Sequence, residues 1–381
     1  MKKLIALLSL TAFLIGGCQD EKKGHESYTP SYSTANKKIG LVTDVGSIDD
    51  KSFNQTSWEG IVDFAETNGL AIETNYKYFQ PSGGSNAGTQ DYITAINNAI
   101  NWGAEIVVCP GFLFEVAIYE IQEKNKNIGF VLIDGTPNEG NYEDVYVAPN
   151  TVSILFKEQE SGFLAGYAAV KDGFTSLGFM GGMAVPAVVR FGIGFIAGAY
   201  LAAKENNNTE FSFNKDHYTY VGKFEADPNI KTRAESWYNA GVEVIFAAAG
   251  GAGSSVLAAA QEGQDKWMIG VDKDQASDSP RVLTSATKGV HSATVLALES
   301  FYQSNFDVGG QILNLGAVDD GVGLPLGESW RFSSFTIEEY QSLYDKLVDG
   351  TINVPSTHET LKTYVEGLGY TLNLSFEDIG M

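Results

Sequence analysis

KKIGLVTDVGSIDDKSFNQTSWEG, residues 37–60, holds the pattern that decides the fold. Residues 39–43 read as a buried strand, the polar stretch after them as a turn, and an amphipathic helix begins near Ser52. The strand runs into Asp44, the turn carries Asp49, Asp50 and Lys51, and Phe53 and Asn54 open the helix. Trp58, Ile61, Val62 and Ala65 fall at i, i+3, i+4 and i+7, one core-facing stripe. At roughly 100° per residue, Phe53 lies about 140° from the Trp58 direction. A large ring off its own helix's stripe serves either as a hydrophobic staple or as a stacking platform for a flat ligand, and periodicity leaves both open. Open α/β sheets bind ligands at the carboxyl ends of parallel strands, so this segment brings a carboxylate, a ring and an amide to one expected cleft.

Upstream, MKKLIALLSLTAFLIGG reads as a signal peptide over residues 1–17, with basic Lys2 and Lys3 and an apolar stretch too short to span a bilayer comfortably. Ile15-Gly16-Gly17-Cys18 resembles a bacterial lipobox, which implies Cys18 as the lipidated first residue of a membrane-anchored, extracytoplasmic protein. Residues 18–36 are then the lipidated cysteine and a polar, flexible tether.

Downstream, strand-like apolar runs alternate with helical patterns, the signature of doubly wound sheets. Strands are predicted over 72–79, 106–109, 129–133, 145–148, 177–180, 218–222, 244–248, 268–271 and 282–286, with a last one near Val322. Helices are predicted around 156–170, 187–203, 291–303 and 337–347. About 340 residues beyond the tether suit two α/β lobes better than one small core. The expected division is residues 37–150 plus about 281–320 for the N-terminal lobe, and 151–280 plus about 321–381 for the C-terminal lobe. FLAGYAA (163–169) and FIAGAY (195–200) share small residues and read as close helix-packing motifs.

The formal charge is −22, or −24 once Lys2 and Lys3 are removed, which argues against nucleic acid and against direct adhesion to anionic lipid. Apart from Cys18 there is only Cys109, in an apolar run, so the mature chain has no internal disulfide. The sequence lacks G-x-S-x-G, G-x-x-x-x-G-K-[ST] and H-E-x-x-H, and its four histidines are dispersed. Residues 272–278, DKDQASD, fail as a calcium loop because Ser277 stands where glycine is required. No catalytic residue, metal or cofactor is expected, and the chain reads as a non-enzyme.

Strand tips carry the better signal. LVTD, VLID and IGVD end on Asp44, Asp134 and Asp272. Any one of these can cap a helix, but three spread over both lobes indicate a polar cleft. Ionised carboxylates there accept hydrogen bonds from sugar hydroxyls or base N–H groups. Gly250-Gly-Ala-Gly253 follows the strand VIFAAA and allows close backbone approach to a ligand, and Phe224 in YVGKFEADP follows another strand.

DVGSIDDKSFNQTSWEG, GKFEADP, FAAAGGAGSS and IGVDKDQ, in that order, closely resemble the basic membrane protein family of bacterial lipoproteins. The resemblance covers nearly all of the chain after residue 37. It implies a type I periplasmic-binding-protein fold: two lobes, each a doubly wound, mainly parallel sheet with helices on both faces, and a ligand enclosed between them. It also implies a purine nucleoside ligand (guanosine, adenosine or inosine), ABC permease and ATPase partners, and a monomer. Carried over residue by residue, Phe53 and Phe224 would sandwich the purine, and Asp44 and Asn54 would read the base. Asp134, Gly250, Asp272 and Lys288, the last in LTSATKGV, would surround the ribose. Residues 177–182 and 190–198 also match and read as packing. The competing readings keep the fold with a sugar or other small metabolite, or make the chain a nucleoside-processing enzyme or a surface adhesin.

Overall fold

The structure is a computed structural model that describes residues 25, 27–50, 52–141 and 144–380. Residues 1–17 and Cys18, on which the signal-peptide and lipidation readings fall, lie outside the described residues, as does Lys51. The chain opens with β1 (Ile39–Val42), α1 (Phe53–Thr67), β2 (Tyr76–Phe79), α2 (Thr89–Trp102), β3 (Ile106–Pro110), α3 (Glu115–Ile121), β4 (Gly129–Ile133) and β5 (Thr151–Phe156). A second series follows: α4 (Glu158–Lys171), β6 (Leu177–Gly181), α5 (Pro186–Glu205), β7 (Tyr218–Tyr220), α6 (Pro228–Asn239), β8 (Val244–Ala248), α7 (Gly253–Glu262), β9 (Trp267–Asp272) and β10 (Val282–Lys288). The chain finishes with α8 (Val290–Gln303), β11 (Ile312–Leu315), β12 (Val322–Gly323), α9 (Ile337–Val348), α10 (His358–Gly367) and α11 (Phe376–Ile379).

These strands form two six-stranded sheets, ordered β11-β5-β4-β3-β1-β2 and β12-β10-β9-β8-β6-β7. Every pairing is parallel except β10 with β12. Strands β1, β3, β4, β6 and β8 are buried at every position, because helices cover both faces of each sheet. The predicted type I architecture, two α/β lobes with crossovers, is what the chain adopts.

Strand pairing departs from the expected division of the chain at two places. Residues 151–156 belong to the first sheet, since β5 pairs with β4, and residues 282–288 belong to the second, since β10 pairs with β9. α8 then returns to the first lobe, where Gly60 of α1 lies so close that a Cβ would strike the His291 carbonyl. The crossovers therefore follow β5, β10 and β11. No strand forms over 145–148. There Pro149 has no amide hydrogen to donate, and Asn150 uses its side-chain amide to hold the carbonyls of Gln122, Asn125 and Ile128, so pairing starts only at Thr151.

Residues 27–36 also differ from the expected tether. Without regular secondary structure, they form a strap across the amino ends of the first sheet, away from the strand tips. Tyr28 donates to Asn150 Oδ1 at 2.5 Å, Tyr32 packs on Phe301 at 4.8 Å between centroids, and the Asn36 amide donates to Glu105. The polar composition of this stretch hides two tyrosines that supply its packing.

The second lobe is built on the α4–α5 pair. By length and composition α5 could cross a membrane, but it is mostly buried within this fold. Gly162 and Gly166 of α4 meet the carbonyls of Phe191 and Phe195, and Gly194 and Gly198 of α5 meet those of Gln159 and Phe163. FLAGYAA and FIAGAY are thus packing motifs that bring two backbones into direct contact. Gly194→Ala would drive a methyl into the Gln159 carbonyl and should lower stability by about 1–3 kcal/mol. Urea denaturation of the variant checks this, and an unchanged midpoint would contradict the contact.

Candidate functional site

The carboxyl ends of β1, β3 and β4 from the first sheet and β8, β9 and β10 from the second border one cavity of about 520 Å³, within the range of small-molecule sites. All eight residues singled out in the sequence line it: Asp44, Phe53, Asn54, Asp134, Phe224, Gly250, Asp272 and Lys288.

On the first-lobe wall, Asp50 caps α1: its Oδ1 accepts the amides of Ser52 and Gln55, and its Oδ2 accepts that of Asn54. This fixes the helix end that carries Phe53. Asn54 is buried and fully committed. Its Nδ2 donates to Asp44 Oδ1 and Asp50 Oδ2, both at 2.7 Å, while its Oδ1 accepts the Asp44 amide at 3.1 Å. Asn54 therefore positions Asp44. Asp44 Oδ1 also accepts the Gly46 amide, which leaves Oδ2 beside Gly111. Burial raises the Asp44 carboxyl to about 6, with the Gly46 amide and the Asn54 side chain working against the rise.

The floor of the cavity is a charge cluster around Lys288, which is almost fully buried. Its ammonium pairs directly with Asp134 and lies 3.5 Å from Asp272 Oδ1 and 3.8 Å from Glu158 Oε1. The rings of Phe53, Phe191 and Phe156 surround it at 4.9, 5.5 and 5.7 Å. Burial alone would lower the Lys288 pKa, but Asp134, then Asp272 and Glu158, outweigh it and hold the amine above its ordinary value. Burial raises Asp134, and Lys288 opposes the rise. Asp134 Oδ1 is buried without a hydrogen-bond partner among the described residues. Asp134 and Asp272 both adopt positive φ, 58° and 67°, a conformation uncommon outside glycine.

From the second lobe, Phe224 lies over Gly182, where a Cβ would collide with its ring, and beside Gly250. Its carbonyl accepts the Ala252 amide at 2.8 Å, which ties the ring's backbone to the glycine turn before α7. An aromatic ring from each lobe thus lines the same cavity.

Three residues that the sequence reading did not place in the site belong to it or support it. Arg190, read as packing, lines the cavity and donates through Nε to Glu158 Oε2 at 2.6 Å. Arg190 is the one charged residue of α5 before Lys204, and a lone charge in an apolar helix demands a buried partner; that signal was available. Glu158 is fully buried at the start of α4, and Ser52 is buried at the start of α1. Nothing in their sequence context marks either one.

A model of the family described as "ABC transporter substrate-binding protein PnrA-like" matches residues 37–358. The chain is 29% identical over 378 residues to the ABC transporter nucleoside-binding protein BmpA of Lactococcus lactis, covering 93% of this chain and all of that protein. It is 30% identical over 329 residues to basic membrane protein D of Borreliella burgdorferi, covering 84% of this chain and 88% of that one. Among solved structures, an ABC transporter solute-binding protein from Aeropyrum pernix superposes with a TM-score of 0.69 at 23% identity, covering 87% of this chain and 97% of that one, and shares the fold.

Removing the Lys288 cation would leave three carboxylates facing one another in a buried site. Lys288→Met should therefore cost about 3–5 kcal/mol in urea denaturation at pH 7, the range for breaking a buried ion pair from one side. A variant as stable as the parent would refute the cluster as described.

Proposed function

The chain belongs to the PnrA-like family of ABC transporter substrate-binding proteins, which are receptors and not enzymes, and on that premise we propose that it captures purine nucleosides. In this reading it is held at the outer face of the membrane by a lipid on Cys18 and delivers guanosine, adenosine or inosine to a permease and its ATPase.

The observation that carries the reading is the pair of rings, Phe53 and Phe224, brought to one cavity from opposite lobes with acidic strand tips around them. A flat base between two rings gains on the order of 1–3 kcal/mol from each face. With one face on each lobe, a bound base stabilises the lobes together, so binding and closure are coupled. Asp44 suits the base edge, because its Oδ2 is an acceptor at the cavity wall. Asp134 Oδ1, buried and without a hydrogen-bond partner among the described residues, suits a sugar hydroxyl, and Asp272 and Gly250 line the same cavity. Loss of a hydroxyl that satisfied such a group would cost roughly 1–3 kcal/mol, which favours a nucleoside over a free base. The name of the Lactococcus lactis relative supports the ligand class, and that of the Borreliella burgdorferi relative supports a membrane-associated location. The Cys18 motif supports the lipid anchor.

Titration calorimetry with guanosine, adenosine, inosine and ribose tests the proposal; ribose binding without nucleoside binding would sink it. Phe53→Ala and Phe224→Ala should each weaken nucleoside binding at least about tenfold, from stacking worth about 2 kcal/mol. If neither does, the sandwich is wrong. Affinity should also depend on pH. Asp44 must be ionised to accept from the base, and burial raises its carboxyl to about 6. Binding is then full at pH values well above 6 and falls as pH drops through that value, while Asp44→Asn should flatten this dependence.

A further inference from the structure

We propose that Ser52 is a positioning residue that clasps the two lobes together through Asp272. The kinetic part of the inference rests on the nucleoside reading above; the structural part does not. Ser52 occupies the N-cap position of α1, where a serine hydroxyl ordinarily accepts an amide of its own helix. Here it makes no such bond. Asp50, two residues earlier, takes the amides of Ser52, Asn54 and Gln55 instead, and the Ser52 hydroxyl is released for another use.

That use lies in the other lobe. Ser52 Oγ donates to Asp272 Oδ2 at 2.7 Å, in a buried contact between residues 220 positions apart in the chain. The rest of Ser52 is immobilised: its amide is held by Asp50, and its carbonyl accepts both the amide and the hydroxyl of Thr56, at 3.0 and 2.7 Å. Asp272 needs such a partner. It sits at φ 67°, and its other oxygen is 3.5 Å from Lys288, so Ser52 and Lys288 together fix the plane of its carboxylate. The direct Lys288–Asp134 pair is a second buried link between the lobes. Lys273–Glu59, at 3.4 Å, is a third, but its exposure leaves it little weight. Of these two buried hydrogen bonds between the lobes, only the serine's can be removed without unpairing a charge, because Asp272 keeps Lys288.

Ser52→Ala and Ser52→Thr test the clasp in the full chain, with thermal unfolding of each to show that it is folded. Since Ser52 caps nothing, Ser52→Ala should keep a melting temperature close to the parent's. Its ligand-free form should shift to a larger radius of gyration by small-angle X-ray scattering. Its guanosine complex should dissociate about tenfold faster in stopped flow with association unchanged, the fold-change expected for a lost hydrogen bond to a charged group. Ser52→Thr, which keeps the hydroxyl, should restore both. A Ser52→Ala protein with the parent's radius of gyration and release rate overturns the clasp, as does loosening that Thr fails to reverse. If the parent binds no nucleoside, the proposed function fails while the scattering comparison still decides the clasp: an unchanged radius overturns it and an increase reversed by Thr upholds it.

Discussion

A single buried ammonium sets the terms for the rest of the cleft. Lys288 cannot stay charged inside protein without several carboxylates close by, and the chain supplies them from three separate segments: Asp134 from the first lobe, Asp272 and Glu158 from the second. Each is placed by a different device. Asp134 and Asp272 turn out of their strands at positive φ, and Glu158 is anchored by Arg190. The cluster holds because all of these meet at one point, and that point lies on the seam between the lobes.

The helix pair behind the cluster has the same logic. Glu158 is on α4 and Arg190 on α5, 32 residues apart in sequence. The two helices run very close where this 2.6 Å bond forms, and the four glycines at the α4–α5 contact stand where a Cβ would strike the opposite helix's backbone. Small residues that read as mere packing are thus what allows two charges to be buried together. Packing and electrostatics are one constraint here.

Fold and site are legible in the sequence where the signal is periodic or local. Fully buried parallel strands ending on aspartates, the off-stripe Phe53 and the glycine motifs were all visible as patterns over a few residues, and the family resemblance ordered them. Fold and site are not legible where structure depends on partners distant in the chain. Whether residues 151–156 and 282–288 join the first or second sheet is decided by which strands flank them, β4 and β11 for the one and β9 and β12 for the other, and those partners are not written in either run of residues. The strap over 27–36 looks polar, yet it is tied down by contacts with Asn150, Phe301 and Glu105, all at least 69 residues away. Ser52 is the sharpest case. Its position predicts a cap, and only the neighbouring Asp50 shows why the hydroxyl points elsewhere.

The two sheets share their strand order, which makes β4 equivalent to β9 and β5 to β10. Asp134 and Asp272 then occupy matching places, and by register Phe156 matches Lys288, whose ammonium rests 5.7 Å from that ring. The floor of the cleft therefore carries a palindromic pair of aspartates, and Lys288 set against Phe156 breaks the match beside them. A true palindrome would receive an elongated guest in either of two opposite poses and divide its population between them. Lysine on one side and phenylalanine on the other remove that degeneracy, and they give the floor of the cleft a direction that neither lobe has alone.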